Sequence, residues 1–151
     1  MPILYIIAGP NGAGKTTTAE KLLPDFLNCV EYVNADNIAR GICPFNVEGV
    51  AFQAGRVMLE RMAELVKKKI DFAFETTLSA KSYVSFLKYC KSKGYEINLL
   101  FIWLDSPETA KQRVRSRVKK GGHNIPEPVV ERRYHKGLEN LKKYFVHLCD
   151  T

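Results

Sequence analysis

Membrane-spanning stretches are missing from this 151-residue sequence. No apolar run approaches the roughly eighteen residues that a helix needs to cross a bilayer. The short apolar run after Met1-Pro2 has no basic leader before it, so it reads as a strand and not as a secretory signal. A cytoplasmic location is expected. Cysteine is scarce and scattered: Cys29, Cys43, Cys90 and Cys149 include no C-x-x-C pair, which excludes a zinc ribbon and a dithiol redox motif. They read as reduced, partly buried small hydrophobes. His123, His135 and His147 have no metal-ligand spacing either. Internal repeats, low-complexity segments and Gly/Ser linkers are also lacking, so residues 1–151 read as a single domain.

Acidic residues are in the minority, with 16 Asp/Glu against 23 Lys/Arg, a net charge of +7 and a pI near 9.3. The hydrophobic share of 46% and charged share of 26% are those of an ordinary globular chain large enough to bury a core. The basic excess is concentrated: Lys111 to Lys143 holds eleven Lys/Arg against three acids, Glu127, Glu131 and Glu139. Such a surplus fits a nucleic-acid surface or an enzyme that handles triphosphates. A phosphate-clamping lid explains it at least as well as an RNA surface, so nucleic acid is not the expected partner.

What is present is a phosphate loop. Gly9, Pro10, Asn11, Gly12, Ala13, Gly14, Lys15 and Thr16 match the pattern of glycine, four residues, then Gly-Lys-Ser/Thr, and Thr17 follows. Gly9, Gly12 and Gly14 allow positive φ and bring backbone N–H groups close to an anion. Lys15 suits the β- and γ-phosphates of ATP, and the Thr16 hydroxyl suits Mg²⁺. The flanks agree with that chemistry. Ile3 to Ala8 is a continuous apolar run, as expected of a buried parallel strand, and Lys15 to Leu23 reads as a helix stopped by Pro24. The helix N-terminus adds free N–H groups and partial positive charge.

Further along, Cys29 to Asn34 reads as a short strand, followed by a short helix and a turn around Pro44. Val47 to Lys69 is helical, with Val50, Ala54, Met58, Met62 and Val66 on one face. Gly55 within it hints at close packing or ligand approach. Phe72 to Glu75 is a third strand, and Ser79 can cap a helix from Ala80 to Lys93 that Gly94 ends. Ile97 to Leu104 is the most apolar stretch and is expected to be a central strand. Asp105-Ser106-Pro107-Glu108 starts a basic helix that runs to about Lys120. Gly121 to Pro126 is a break, and Glu127 to about Leu148 is the last helix. The fold class is therefore α/β, a P-loop NTPase sandwich with a parallel sheet. Four strands are counted and the chain ends on a helix, so the sheet is expected to lack its last strand.

Ligands of such sheets bind beyond the carboxyl ends of the strands. There, Asp36 reads equally as a base for an attacking hydroxyl or as a cap for the next helix. Glu75 can hold Mg²⁺ through water or bind substrate, and Thr76 and Thr77 can hydrogen-bond sugar or phosphate oxygens. Asp105 competes for the acidic role but is already explained as part of a helix start. Arg113 and Arg117 share a helix face beside Gly121-Gly122 and suit a lid over the transferring phosphoryl group. Arg56, Lys111, Arg115, Arg132 and Arg133 are weaker candidates of the same kind.

With these residues in place, the sequence resembles the zeta toxin family of P-loop kinases, in particular its short bacterial members. The likeness covers nearly the whole chain. It rests on Ala8 to Thr17, Val33-Asn-Ala-Asp-Asn-Ile-Ala39, Ala54-Gly-Arg56, Phe74-Glu-Thr-Thr-Leu-Ser79, Gly121-Gly-His-Asn-Ile-Pro-Glu127 and Arg132-Arg-Tyr134. The resemblance implies an ATP- and Mg²⁺-dependent kinase acting on a sugar hydroxyl of UDP-N-acetylglucosamine and held inactive by an antitoxin. It implies Asp36 as catalytic base, Glu75 as the acid near substrate and metal, and Arg113 or Arg117 as the first lid arginine. Two departures accompany it. His123 stands ahead of Pro126 where larger members place a second lid arginine, which shifts γ-phosphate stabilisation toward Arg132. Family members also continue past the last helix into another strand and a polar turn near the adenine, whereas this chain stops at Thr151.

Overall fold

The computed structural model describes all residues from Met1 to Thr151. Four strands, β1 (Ile3–Ala8), β2 (Tyr32–Val33), β3 (Phe72–Thr76) and β4 (Glu96–Phe101), form one wholly parallel sheet in the order β2-β3-β1-β4. Helices α1 (Lys15–Leu22), α2 (Ala35–Ile42), α3 (Ala51–Lys67), α4 (Ser82–Ser92), α5 (Pro107–Lys119), α6 (Glu127–Asn140) and α7 (Val146–Leu148) complete the chain. A 3₁₀ turn, Glu48–Val50, leads into α3. A π-helical turn, Leu141–Phe145, joins α6 to α7, so the long helix expected from Glu127 to Leu148 is continuous but locally widened.

Strand alternation assigns the two faces. Leu4, Ile6, Ala8, Phe72 and Phe74 join Met58, Met62 and Leu65 of α3, Leu87 and Cys90 of α4, and Phe145 in the larger core. Ile7 and Ala73 point the other way, onto Ala19 and Leu23. A third cluster, Ala13, Leu104, Ala110, Val114, Ile125, Val130 and Tyr134, packs α5 and α6 beside the phosphate loop. Complete burial of Phe72 and Phe74 contributes about 1.5–3 kcal/mol each.

Three local expectations are corrected. The apolar run at 97–104 lies at the sheet edge, because its apolar character reflects packing on its faces and carries no information on strand order. Leu100 and Trp103 accordingly remain 39% and 61% exposed. The outer edge of β4 is partly met by the residues after α7: Leu99 N–H donates to Thr151 O at 2.9 Å and Asp150 N–H to Ile97 O at 2.8 Å. Ser79 does not cap α4, which begins at Ser82; its hydroxyl pairs with that of Thr77 at 2.8 Å. Gly55 faces open space, so neither packing nor a neighbouring group requires it.

Candidate active site

The carboxyl ends of β1, β2 and β3 converge on two adjoining clefts of about 310 and 290 Å³. Asn11, Lys15, Asn34, Asp36, Glu75 and His123 line both. The first cleft has no hydrophobic lining residue; it is completed by Gly12, Gly14, Thr16, Thr17, Arg40, Arg113 and Arg117. The second adds an apolar wall that includes Val47, Ala51, Met58, Tyr83 and Ile125, together with Thr76, Thr77 and Arg133. An all-polar, cation-rich cleft suits a triphosphate. A half-apolar one suits the body of a small molecule.

The phosphate loop has the expected backbone: Gly9, Gly12 and Gly14 all have positive φ. Gly12 has a second reason to be glycine. A Cβ there would meet Ala110 O and Arg113 Cβ at 3.0 Å, so the loop sits tightly on α5, whose Arg113 and Arg117 line the cleft. Lys15, only 7% exposed, folds back so that Nζ donates to Gly9 O at 2.9 Å and Pro10 O at 3.0 Å. Burial pushes its ammonium down to about 8, against the opposing pull of Glu75 and Asp36. A charge held so poorly solvated is poised for an anion.

Beyond β2, the capping question is resolved by Asn34. Its Oδ1 accepts from the N–H groups of Asp36 at 2.8 Å and Asn37 at 3.4 Å, so the cap of α2 is Asn34 and the Asp36 carboxylate is left facing the two clefts. The other side of the Asn34 amide donates to Glu75 Oε2 at 3.0 Å. That same oxygen accepts from Thr16 Oγ1 at 2.9 Å and from the Tyr32 hydroxyl. Glu75 and Thr16, the two expected metal-proximal groups, are thus joined directly. Hard oxygen donors in this number, with no cluster of three or more His, Cys, Asp or Glu, fit Mg²⁺, which is bound by few protein groups together with phosphates and water.

The residues expected to form a lid sort clearly. Arg113 and Arg117 both line the phosphate cleft, and neither is in an ion pair. Lys111 and Arg115 instead bind Glu131 and Glu127 and pin α5 to α6. His123 Nε2 hydrogen-bonds Glu48 Oε1 at 2.6 Å, tying the 121–126 loop to the 3₁₀ turn across the mouth of the clefts. Arg56 and Arg132, expected to bind substrate, are exposed and line neither cleft. The reason for Arg132 is helical phase: Val130, Tyr134 and Gly137 form the buried face of α6, and Arg133 lies at its edge while Arg132 points away. Arg133 donates to Asn11 Oδ1 at 3.5 Å, and burial pushes its guanidinium below the ordinary value. Asp105 accepts from Thr109 Oγ1 at 2.7 Å at the start of α5, where Ser106 caps the helix.

Sequence reasoning ranks Arg133 below Arg132 and misses Arg40, Tyr32 and Glu48. A signal existed for Arg40, four residues after Asp36 and so on the same helix face. None existed for Glu48, whose partner is 75 residues away.

α6 also shapes the far wall. Gly137 packs against Thr77, where a Cβ would meet the carbonyl oxygen at 2.3 Å, and Asn140 Nδ2 donates to Leu78 O at 2.8 Å. Leu78, fully buried with φ of 61°, is held in this left-handed conformation by those contacts and by Thr76 Oγ1, which accepts from its N–H at 3.0 Å.

Comparison with known proteins gives the family and the fold. The zeta toxin family profile matches residues 1–148. An uncharacterized protein of Haemophilus influenzae is 34% identical over 126 residues, which cover 83% of this chain and 88% of the relative. Among solved structures, the PezAT chromosomal toxin-antitoxin system of Streptococcus pneumoniae aligns with a TM-score of 0.72 at 19% identity, over 99% of this chain and 66% of that one. A chain of the Pnkp1/Rnl/Hen1 RNA repair complex aligns with a TM-score of 0.73 at 21% identity, over 95% of this chain and 46% of that one. The chain therefore spans less than two thirds of either structural relative. No helix is long and apolar enough to cross a membrane.

Proposed function

The chain belongs to the zeta toxin family of P-loop phosphotransferases, and on that premise we propose that it transfers the γ-phosphate of ATP to a hydroxyl of a small molecule, with a nucleotide sugar such as UDP-N-acetylglucosamine as the first acceptor to test. The observation that carries the reading is the position of Asp36, which Asn34 relieves of capping and which borders both clefts. Asp36 and Glu75 are the two carboxylates that border both clefts, and Glu75 is engaged by Thr16, Asn34 and Tyr32, which leaves Asp36 to act on an acceptor oxygen as it approaches a phosphate.

In the proposed reaction the triphosphate lies on the phosphate loop. The ammonium of Lys15 leaves its two carbonyl partners for the β- and γ-oxygens. Thr16 and Glu75 would hold Mg²⁺, which when bound neutralises charge on those oxygens. The acceptor occupies the half-apolar cleft with its hydroxyl toward Asp36. The hydroxyl oxygen forms a bond to the γ-phosphorus as the bond to the β,γ-bridging oxygen breaks; the proton passes to Asp36 and ADP leaves. Arg113 and Arg117 neutralise the transferring group from the lid side, and Arg133 supplies a third cation from the acceptor side, in the role first expected of Arg132. Thr76, Thr77 and His123 offer hydrogen bonds to the acceptor. The reaction belongs to the cytoplasm, where ATP is available. An antitoxin that blocks the cleft mouth is the proposed protein partner, in keeping with the toxin-antitoxin assembly of the pneumococcal relative.

The test is transfer from γ-labelled ATP. Labelled UDP-N-acetylglucosamine in the presence of wild-type protein, and on the order of 10²-fold less with Asp36→Asn, is the expected result. Label on a different hydroxyl compound would keep the kinase and change the acceptor. No transfer across sugars, nucleosides and RNA ends by a protein that still binds ATP would overturn the catalytic reading.

A further inference from the structure

One cluster at the site does more than the phosphate loop requires. Glu75 Oε2 accepts from three side chains on two segments: Thr16 at the start of α1, and Tyr32 and Asn34 within and just after β2. Asn34 Nδ2 also lies 3.2 Å from the Tyr32 hydroxyl. A carboxylate oxygen so surrounded has its acceptor capacity filled.

We propose that Tyr32 is a positioning residue: its hydroxyl locks the Glu75 carboxylate against Thr16, so that the Thr16 oxygen is held with a lone pair free for the nucleotide-bound Mg²⁺. The inference rests on the kinase reading above. Three points support it. Thr16 has one proton, and giving it to Glu75 leaves its lone pairs unspent apart from a long 3.5 Å approach by Asn34 Nδ2. The Tyr32 ring already has a packing role beside Ile7, Ala19 and Ala73, which phenylalanine would fill equally; the hydroxyl is surplus to packing. Without that donor, Asn34 alone would orient Glu75 from β2, and Asn34 is also committed to capping α2.

The probe is ATP itself, titrated calorimetrically against full-length protein with Mg²⁺ and with a chelator. In Tyr32→Phe the metal-free affinity is expected to stay within about twofold of wild type, while the enhancement by Mg²⁺ falls roughly tenfold, the size of one hydrogen bond to a charged group. Glu75→Gln should lower the same ratio, and adding Tyr32→Phe to it should lower the ratio no further, since the hydroxyl acts through Glu75. A wild-type Mg²⁺ enhancement in Tyr32→Phe overturns the role of Tyr32. So does an equal loss of metal-free and Mg²⁺-bound affinity, which would mark a structural residue, and so does full additivity with Glu75→Gln. Failure of the wild-type protein to bind ATP at all would be a different outcome, removing the kinase reading and this inference together.

Discussion

Lys15→Met should abolish nucleotide binding and, at neutral pH, leave the free protein about as stable as wild type. Lys15 is 7% exposed, and its charge is held against that burial: the ammonium is pushed from its ordinary 10.5 to about 8. One pKa unit is 1.36 kcal/mol, so the buried charge costs about 3 kcal/mol at most at pH 7. Methionine removes that cost, keeps most of the apolar stem, and gives up the bonds to Gly9 O and Pro10 O, both on buried residues. A hydrogen bond to a charged group is worth about 1.5 kcal/mol or more, so the two lost bonds offset the roughly 3 kcal/mol released and leave the variant within about 1 kcal/mol of wild type, or about 2–4 °C in Tm for a chain of this size. The sign with pH is fixed by proton counting. Between about pH 8 and 10.5 the unfolded chain holds the lysine proton and the folded chain has released it, so wild-type stability rises with pH relative to the variant. Thermal melts of both proteins without nucleotide, from about pH 7 to 10.5, should show Lys15→Met near wild type at pH 7 and less stable than wild type by about 3 kcal/mol at the upper end of that window. A stability difference between the two proteins that does not change with pH would refute the argument that Lys15 is a strained ligand-binding charge.

Four further outcomes are expected. Arg113→Ala and Arg117→Ala should leave ATP affinity within a few-fold by calorimetry and lower kcat by roughly 10²-fold wherever the guanidinium meets the transition state; wild-type turnover in both would make them surface charges. Asp36→Asn and Asp36→Ala should both melt near wild type, because Asn34 is the cap, and both should lose on the order of 10²-fold in transfer rate; early melting of the alanine variant would return Asp36 to a structural role. Arg133→Ala should impair steady-state transfer by roughly tenfold or more while Arg132→Ala does not, the asymmetry set by the phase of α6. Gly137→Ala drives a Cβ to 2.3 Å from Thr77 O and should cost about 1–3 kcal/mol in chemical denaturation, with transfer reduced because α6 carries Arg133.

The sequence by itself determined the phosphate loop, the alternation of strand and helix, and the strand ends at which chemistry gathers. These are local properties: positive φ at Gly9, Gly12 and Gly14, Ser106 and Pro107 at a helix start, and the apolar run of β1 all follow from neighbours a few residues away. Only the tertiary structure decided the rest. The apolar run of β4 could not say that it lies at the sheet edge, since hydropathy reports burial of faces and not strand order. Asp36 could not be separated from a cap until Asn34 was seen to occupy that place. Arg132 and Arg133 are adjacent letters with the same charge, and a rotation of about 100° along α6 turns one into the cleft and the other to solvent. Tyr32 and Thr16 meet on Glu75, 43 and 59 residues distant in the chain, and Glu48 meets His123 over 75. Such pairings depend on how parallel crossovers bring strand ends together, and that arrangement is a property of the whole fold.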